Sequence, residues 1–108
     1  MNYITSRDQF NDAINQSDVF ALCVFSADWC GPCKMLSPII EQFYELCKEN
    51  NSAIDVIKVN IDEFRDLAVN YNVNSVPTIM LFKDGRCIAD RSGFVSLDNL
   101  CSWVYSNL

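Results

Sequence analysis

Along this chain, apolar residues fall first at helical spacing, then in a short continuous run, and then at helical spacing again. Phe10, Ala13 and Ile14 give a short helix one buried stripe. The preceding Ser6-Arg7-Asp8-Gln9 reads as a capping box, in which the Ser6 hydroxyl accepts from an early helical N–H and Gln9 reaches back. Val19 to Phe25 is almost unbroken apolar sequence, as suits a strand buried on both faces. Met35, Leu36, Ile39, Ile40, Phe43, Leu46 and Cys47 then recur at helical spacing, with Pro38 inside the helix predicting a kink because it removes a backbone donor. Ala53 to Ile61, marked by Ile54, Val56 and Ile57, predicts a second strand. Asp62 is placed to cap a short helix running to about Tyr71, with Leu67 and Ala68 inward. Val76 to Phe82 predicts a third strand, joined to the next by a tight Asp-Gly turn at Lys83-Asp84-Gly85-Arg86. Ser96 caps a closing helix with Leu97, Leu100, Cys101, Val104 and Leu108 on one face.

Strands and helices alternate through the first half, which implies parallel neighbours with right-handed crossovers, and the chain closes on a hairpin and a helix. A mixed central sheet covered by helices on both sides is expected. With 108 residues, half of them apolar, residues 1–108 are expected to bury one core and form a single domain.

Charge narrows the function. The net charge is −6, and the Arg and Lys residues are scattered, which argues against a nucleic-acid or anionic-membrane role. Met1 to Asp8 lacks the basic start and apolar run of a secretory signal, and no later stretch is long enough to cross a membrane, so a soluble cytoplasmic protein is expected. The triplets Asn15-Gln16-Ser17 and Asn50-Asn51-Ser52 match the glycosylation pattern, but in that compartment they are chance matches.

Histidine is absent, which excludes Cys-His proteases, Ser-His-Asp hydrolases and His-containing zinc sites. Of the six cysteines, Cys23, Cys47, Cys87 and Cys101 each lie inside an apolar pattern and read as inert core thiols. They supply no second close pair for a four-cysteine zinc site, so no metal is expected.

The remaining two, Cys30 and Cys33, stand between a strand and a helix. A thiol attacks only as its thiolate, and the unpaired N–H groups and positive dipole end of a starting helix favour the anionic form of Cys30. Cys33, three residues on, lies on the same helical face and is close enough to form a disulfide, so it can resolve a mixed disulfide by attacking Cys30. Pro32 fits the first turn, and Gly31 leaves the approach to Cys30 open. Chance occurrence, or half of a metal site, is the competing reading of a bare Cys-x-x-Cys. The preceding strand, the following helix and the flanking Trp29 and Pro32 count against it.

Taken together, Trp29-Cys30-Gly31-Pro32-Cys33-Lys34, Pro38, Lys58-Val59-Asn60-Ile61-Asp62, Val76-Pro77-Thr78, Phe82-Lys83-Asp84-Gly85 and Gly93 resemble the thioredoxin family over nearly the full length. The resemblance implies an α/β thioredoxin fold, with a mixed central β-sheet of about five strands covered by about four helices on both faces. It further implies a monomeric reductase of protein disulfides with no bound cofactor, whose electrons come from NADPH through a flavin-dependent thioredoxin reductase. Pro77 matches the family's cis-proline, which leaves the Val76 backbone free to pair with an extended substrate; from the residues alone Pro77 is only an interruption near a strand start. Trp29, Gly31, Pro32, Val76, Pro77, Gly93 and Phe94 are implied to form the apolar surface around Cys30. Lys58 matches the family lysine near the second cysteine, although its simpler reading is a strand residue reaching solvent.

Two positions depart from the family pattern. Val24 stands where a buried Asp is usual beneath the second cysteine, and Ser26 where many bacterial members carry a second Trp. A docking subunit without turnover is the alternative from another class, and retention of both thiols argues against it. An isomerase or oxidase is a third, and the Gly31-Pro32 pair resembles the reducing branch instead.

Overall fold

The computed structural model describes residues 1–108. Its elements are β1 (Asn2–Tyr3), α1 (Arg7–Ile14), β2 (Phe20–Ser26), α2 (Gly31–Glu49), β3 (Ile54–Asn60), α3 (Arg65–Asn70), β4 (Thr78–Lys83), β5 (Arg86–Ser92) and α4 (Leu97–Ser106). The strands form one sheet in the order β1-β3-β2-β4-β5. β1 and β2 run parallel to β3, whereas β4 runs antiparallel to β2 and to β5.

The two-residue period of a strand explains why β2 is apolar throughout. Ala21, Cys23 and Phe25 pack with Phe10, Ile14, Phe64 and Leu67 on the α1 and α3 side. Leu22 and Val24 pack with Leu36, Ile40 and Phe43 of α2 and with Leu100 and Val104 of α4. The same alternation divides Ile57 and Val59 from Ile54 and Val56 on β3, and Met80 and Phe82 from Ile79 and Leu81 on β4. The mixed sheet with helices on both faces is therefore as the sequence implied.

Local expectations met different fates. Ser6 does cap α1, accepting from the Gln9 N–H at 3.1 Å, but Gln9 reaches one residue further back and accepts from the Thr5 N–H at 2.7 Å. The Asp84-Gly85 turn has positive φ at both residues, as a two-residue hairpin turn requires. A Cβ at Gly85 would also meet the end of the exposed Asn15 side chain, which would have to move aside. α2 continues unbroken through Pro38, which lies on its exposed face.

Several placements are corrected. β4 begins at Thr78 instead of Val76, and the two-residue edge strand β1 had no periodic signal to reveal it. Met35 is exposed, since the buried stripe of α2 is Cys33, Leu36, Ile40, Phe43 and Cys47, and a helix cannot turn adjacent residues to one face. Leu108 is also exposed, because α4 ends at Ser106. Asp62 caps nothing: α3 starts at Arg65 and has no side-chain cap. Cys87 lies on β5, which has a solvent-facing edge, and is exposed, while Cys101 is half-buried, so neither is the core thiol its apolar neighbours suggested.

Candidate active site

The core strand β2 delivers the chain to its end, where Ala27, Cys30 and Cys33 form a small cluster of their own. The Cys30 N–H donates to the Ala27 carbonyl at 3.3 Å, closing the turn that lifts Cys30 to the start of α2. Cys30 is the N-cap of that helix, with φ −90° and ψ 115°. Its Sγ stands where a Ser or Asp oxygen commonly stands and accepts from the Cys33 N–H at 3.2 Å. Both thiols are free and largely buried. No neighbour lies within 4 Å of where a Gly31 Cβ would be, so Cys30 is approached over an open backbone.

The other side of the site comes from distant sequence. Antiparallel pairing of Phe25 with Thr78 brings the beginning of β4 beside the end of β2. The Val76–Pro77 peptide is cis, and Cys30 Sγ lies 3.5 Å from the Val76 carbonyl oxygen. Pairing of Thr78 with Ser92 and a 2.8 Å bond from the Gly93 N–H to the Pro77 carbonyl then hold Gly93 alongside. Trp29 and Phe94 are exposed aromatics, Gly31 and Pro32 are exposed, and Val76 and Gly93 are half-buried.

Trp29 is 67% exposed, yet its indole N–H donates to Asp62 Oδ2 at 2.9 Å. Asp62 is set by Asn60, whose Oδ1 accepts from the Asp62 N–H at 2.9 Å. Asp62 thus holds the indole and does not cap α3. The spacing of Trp29 and Asp62 carries no signal, because the parallel pairing of β2 with β3 is what brings them together.

Of the two readings of Lys58, the solvent-reaching one fails. The residue is opposite Val24 in the β2–β3 register, only 6% exposed, and its ammonium donates to Ser37 Oγ at 2.9 Å. Lys58, Ser37, Val24 and Cys33 line one cavity of about 290 Å³. Burial pushes the Cys33 thiol up to about 11, reinforced by its hydrogen bond to Cys30 and opposed by the Ala27 backbone.

The other thiols are set apart from this chemistry. Burial drives Cys23 well above the usual thiol range and Cys47 up to about 11. No three His, Cys, Asp or Glu side chains gather as a metal site would need.

A family model described as Thioredoxin matches residues 2–106. The chain belongs to the thioredoxin family. It is 38% identical over 99 residues to the thioredoxin of Rickettsia bellii, a match covering 92% of this chain and 91% of that one. The thioredoxin of Pseudomonas aeruginosa is 35% identical over 99 residues, covering 92% and 89%. Among solved structures, a Malassezia sympodialis thioredoxin superposes with a TM-score of 0.85 at 28% identity, covering 99% of this chain and 90% of that one. A mutant thioredoxin from Halobacterium salinarum gives 0.84 at 34% identity, covering 97% and 88%. The fold is thus the thioredoxin fold, and the paired Cys30 and Cys33 make this family member a thiol–disulfide oxidoreductase that reduces protein disulfides.

Proposed function

We propose that residues 1–108 act as a single domain in which Cys30 is the nucleophile and Cys33 the resolving thiol. The observation that carries this assignment is the asymmetry of the pair. Cys30 caps α2 beside the apolar rim and already accepts a backbone N–H, whereas Cys33 lies inside the first turn, where burial resists its ionisation. The Cys30 thiolate attacks a substrate disulfide, forming a mixed disulfide and releasing one substrate thiolate. Cys33 then attacks Cys30, and the second substrate sulfur departs with its electron pair.

In this reading Trp29, Val76, Pro77, Gly93 and Phe94 form the substrate-binding rim, with Gly31 and Pro32 shaping its centre. The Val76 backbone, beside Cys30 and before the start of β4, suits an extended peptide, which would add as a short strand. Lys58 and Pro77 support the pair from beneath and beside it. The carrier works as a cytoplasmic monomer, and thioredoxin reductase returns Cys30 and Cys33 to the dithiol with electrons from NADPH.

The test is to incubate Cys30→Ser and Cys33→Ser with a disulfide-bonded protein and separate the products without reductant. A lasting mixed disulfide is expected with Cys33→Ser alone. Trapping by Cys30→Ser alone would reverse the roles, and trapping by neither would favour docking without turnover.

A further inference from the structure

Lys58 is a buried cation without a counter-ion. None of the ion pairs in the structure includes it, and its contacts are the Ser37 hydroxyl and the face of the Tyr3 ring, 5.3 Å from the ammonium. A buried charge is costly to leave uncompensated, and Val24, its neighbour on the α2-facing side of the sheet, offers only methyl groups. The cavity that Lys58 lines is also lined by Cys33, the thiol that must become an anion for the resolving step.

Ser37 joins the two. It follows Cys33 by four residues on α2, so both side chains lie on one face of the helix, one turn apart. Its oxygen accepts from Lys58 and still has its own O–H to donate. We propose that Ser37 and Lys58 form a positioning device for the resolving step, holding a positive charge and a hydroxyl donor toward the Cys33 thiolate as it forms.

This inference rests on Cys33 being the resolving thiol. In that step Cys33 transfers its proton to water in the cavity, which opens to solvent. The thiolate attacks Cys30, the Cys33–Cys30 bond forms, and the bond from Cys30 to the substrate sulfur breaks. The electron pair leaves on that sulfur, which takes a proton from solvent. Lys58 takes no part in the electron transfer; its positive charge offsets the negative charge that forms on the Cys33 sulfur. Other charged or titratable groups face this region: Tyr3 from β1, Cys30 at the helix start, Lys34 from α2, and Asp28 on the loop after β2. Glu63 faces Lys58 across a second cavity, which Asp28 also lines. Asp28 is the rival, as a carboxylate at the rim able to take the proton through water.

The experiment separates attack from release in single turnovers with a disulfide-linked peptide that fluoresces on release, from pH 6 to 10. Attack is read in the Cys33→Ser background and release with both thiols present. Lys58→Met should move the pH profile of release upward by about one unit, slowing it about tenfold near pH 7, with a far smaller effect on attack. Lys58→Arg should recover part of the rate, and Ser37→Ala should slow release several-fold. Removing a buried, unpaired charge does not threaten the fold, and Ser37→Ala tests the same device without touching the charge. A parental release profile in both Lys58→Met and Ser37→Ala overturns the inference, as does an equal slowing of attack and release. Slowing by Asp28→Asn alone would assign the role to Asp28 instead. Failure of Cys33→Ser to trap a mixed disulfide would remove the underlying role assignment, an outcome distinct from a parental profile.

Discussion

The Trp29 indole N–H is tied to Asp62 Oδ2 at 2.9 Å, so the most exposed aromatic ring at the active-site rim is also anchored. A free tryptophan at a helix start would sample several rotamers, and binding a partner would have to order it. Anchored at its polar end, the ring presents an apolar body in one orientation.

Asp62→Ala should therefore free the ring without disturbing the thiols. In a Trp103→Phe background, Trp29 should show faster fluorescence depolarisation, and kcat/KM for a protein disulfide should fall about fivefold, equivalent to about 1 kcal/mol for one hydrogen bond. The same background should brighten when the Cys30–Cys33 disulfide is reduced, because a nearby disulfide quenches indole emission. Unchanged depolarisation in Asp62→Ala would show that packing alone fixes Trp29.

The Val24–Lys58 pairing makes a second outcome directional. Val24→Asp buries a carboxyl group on the core side of β2 and should cost about 1–3 kcal/mol in denaturant unfolding. Lys58 lies opposite in the register and offsets part of that cost. The double variant Val24→Asp, Lys58→Met should consequently be less stable than the sum of the single changes allows. Simple additivity would mean that the two side chains do not meet.

Stability should also depend on redox state at high pH. Cys33 and Cys47 are each raised from 9.0 to about 11, so the stability gained by keeping them neutral is complete below pH 9 and is lost as pH rises to 11. Cys33 has no proton to lose once it is in the disulfide. The advantage of the oxidised over the reduced protein should thus widen between pH 9 and 11, as followed by denaturation midpoints. A constant gap would place Cys33 in a far wetter setting.

Alkylation ranks the remaining thiols. With Cys30 and Cys33 oxidised, exposed Cys87 should react first with iodoacetamide and half-buried Cys101 more slowly. Cys23 and Cys47 should react only on unfolding. Peptide mass spectrometry reads this order, and early modification of Cys23 would contradict its burial between two strands.

The sequence alone determined what is local. A buried central strand, a starting helix and the Cys30-Gly31-Pro32-Cys33 segment between them follow from apolar period and turn chemistry, and they already imply a nucleophile and a resolver. The Asp84-Gly85 turn was legible for the same reason, since two residues with positive φ leave few choices. Tertiary structure decided whatever depends on strand pairing. Antiparallel pairing of β4 with β2 places Pro77 beside Cys30, and parallel pairing of β3 with β2 brings Asp62 to Trp29 and Lys58 beneath Cys33. Burial of Cys87 and Met35 was misread because an apolar neighbourhood in sequence does not say which face of an edge strand or helix meets the core. Lys58 stood open between a solvent-reaching strand residue and a lysine near the second cysteine: only the packed α2, with Ser37 four residues beyond Cys33, gives a lysine a reason to stay inside.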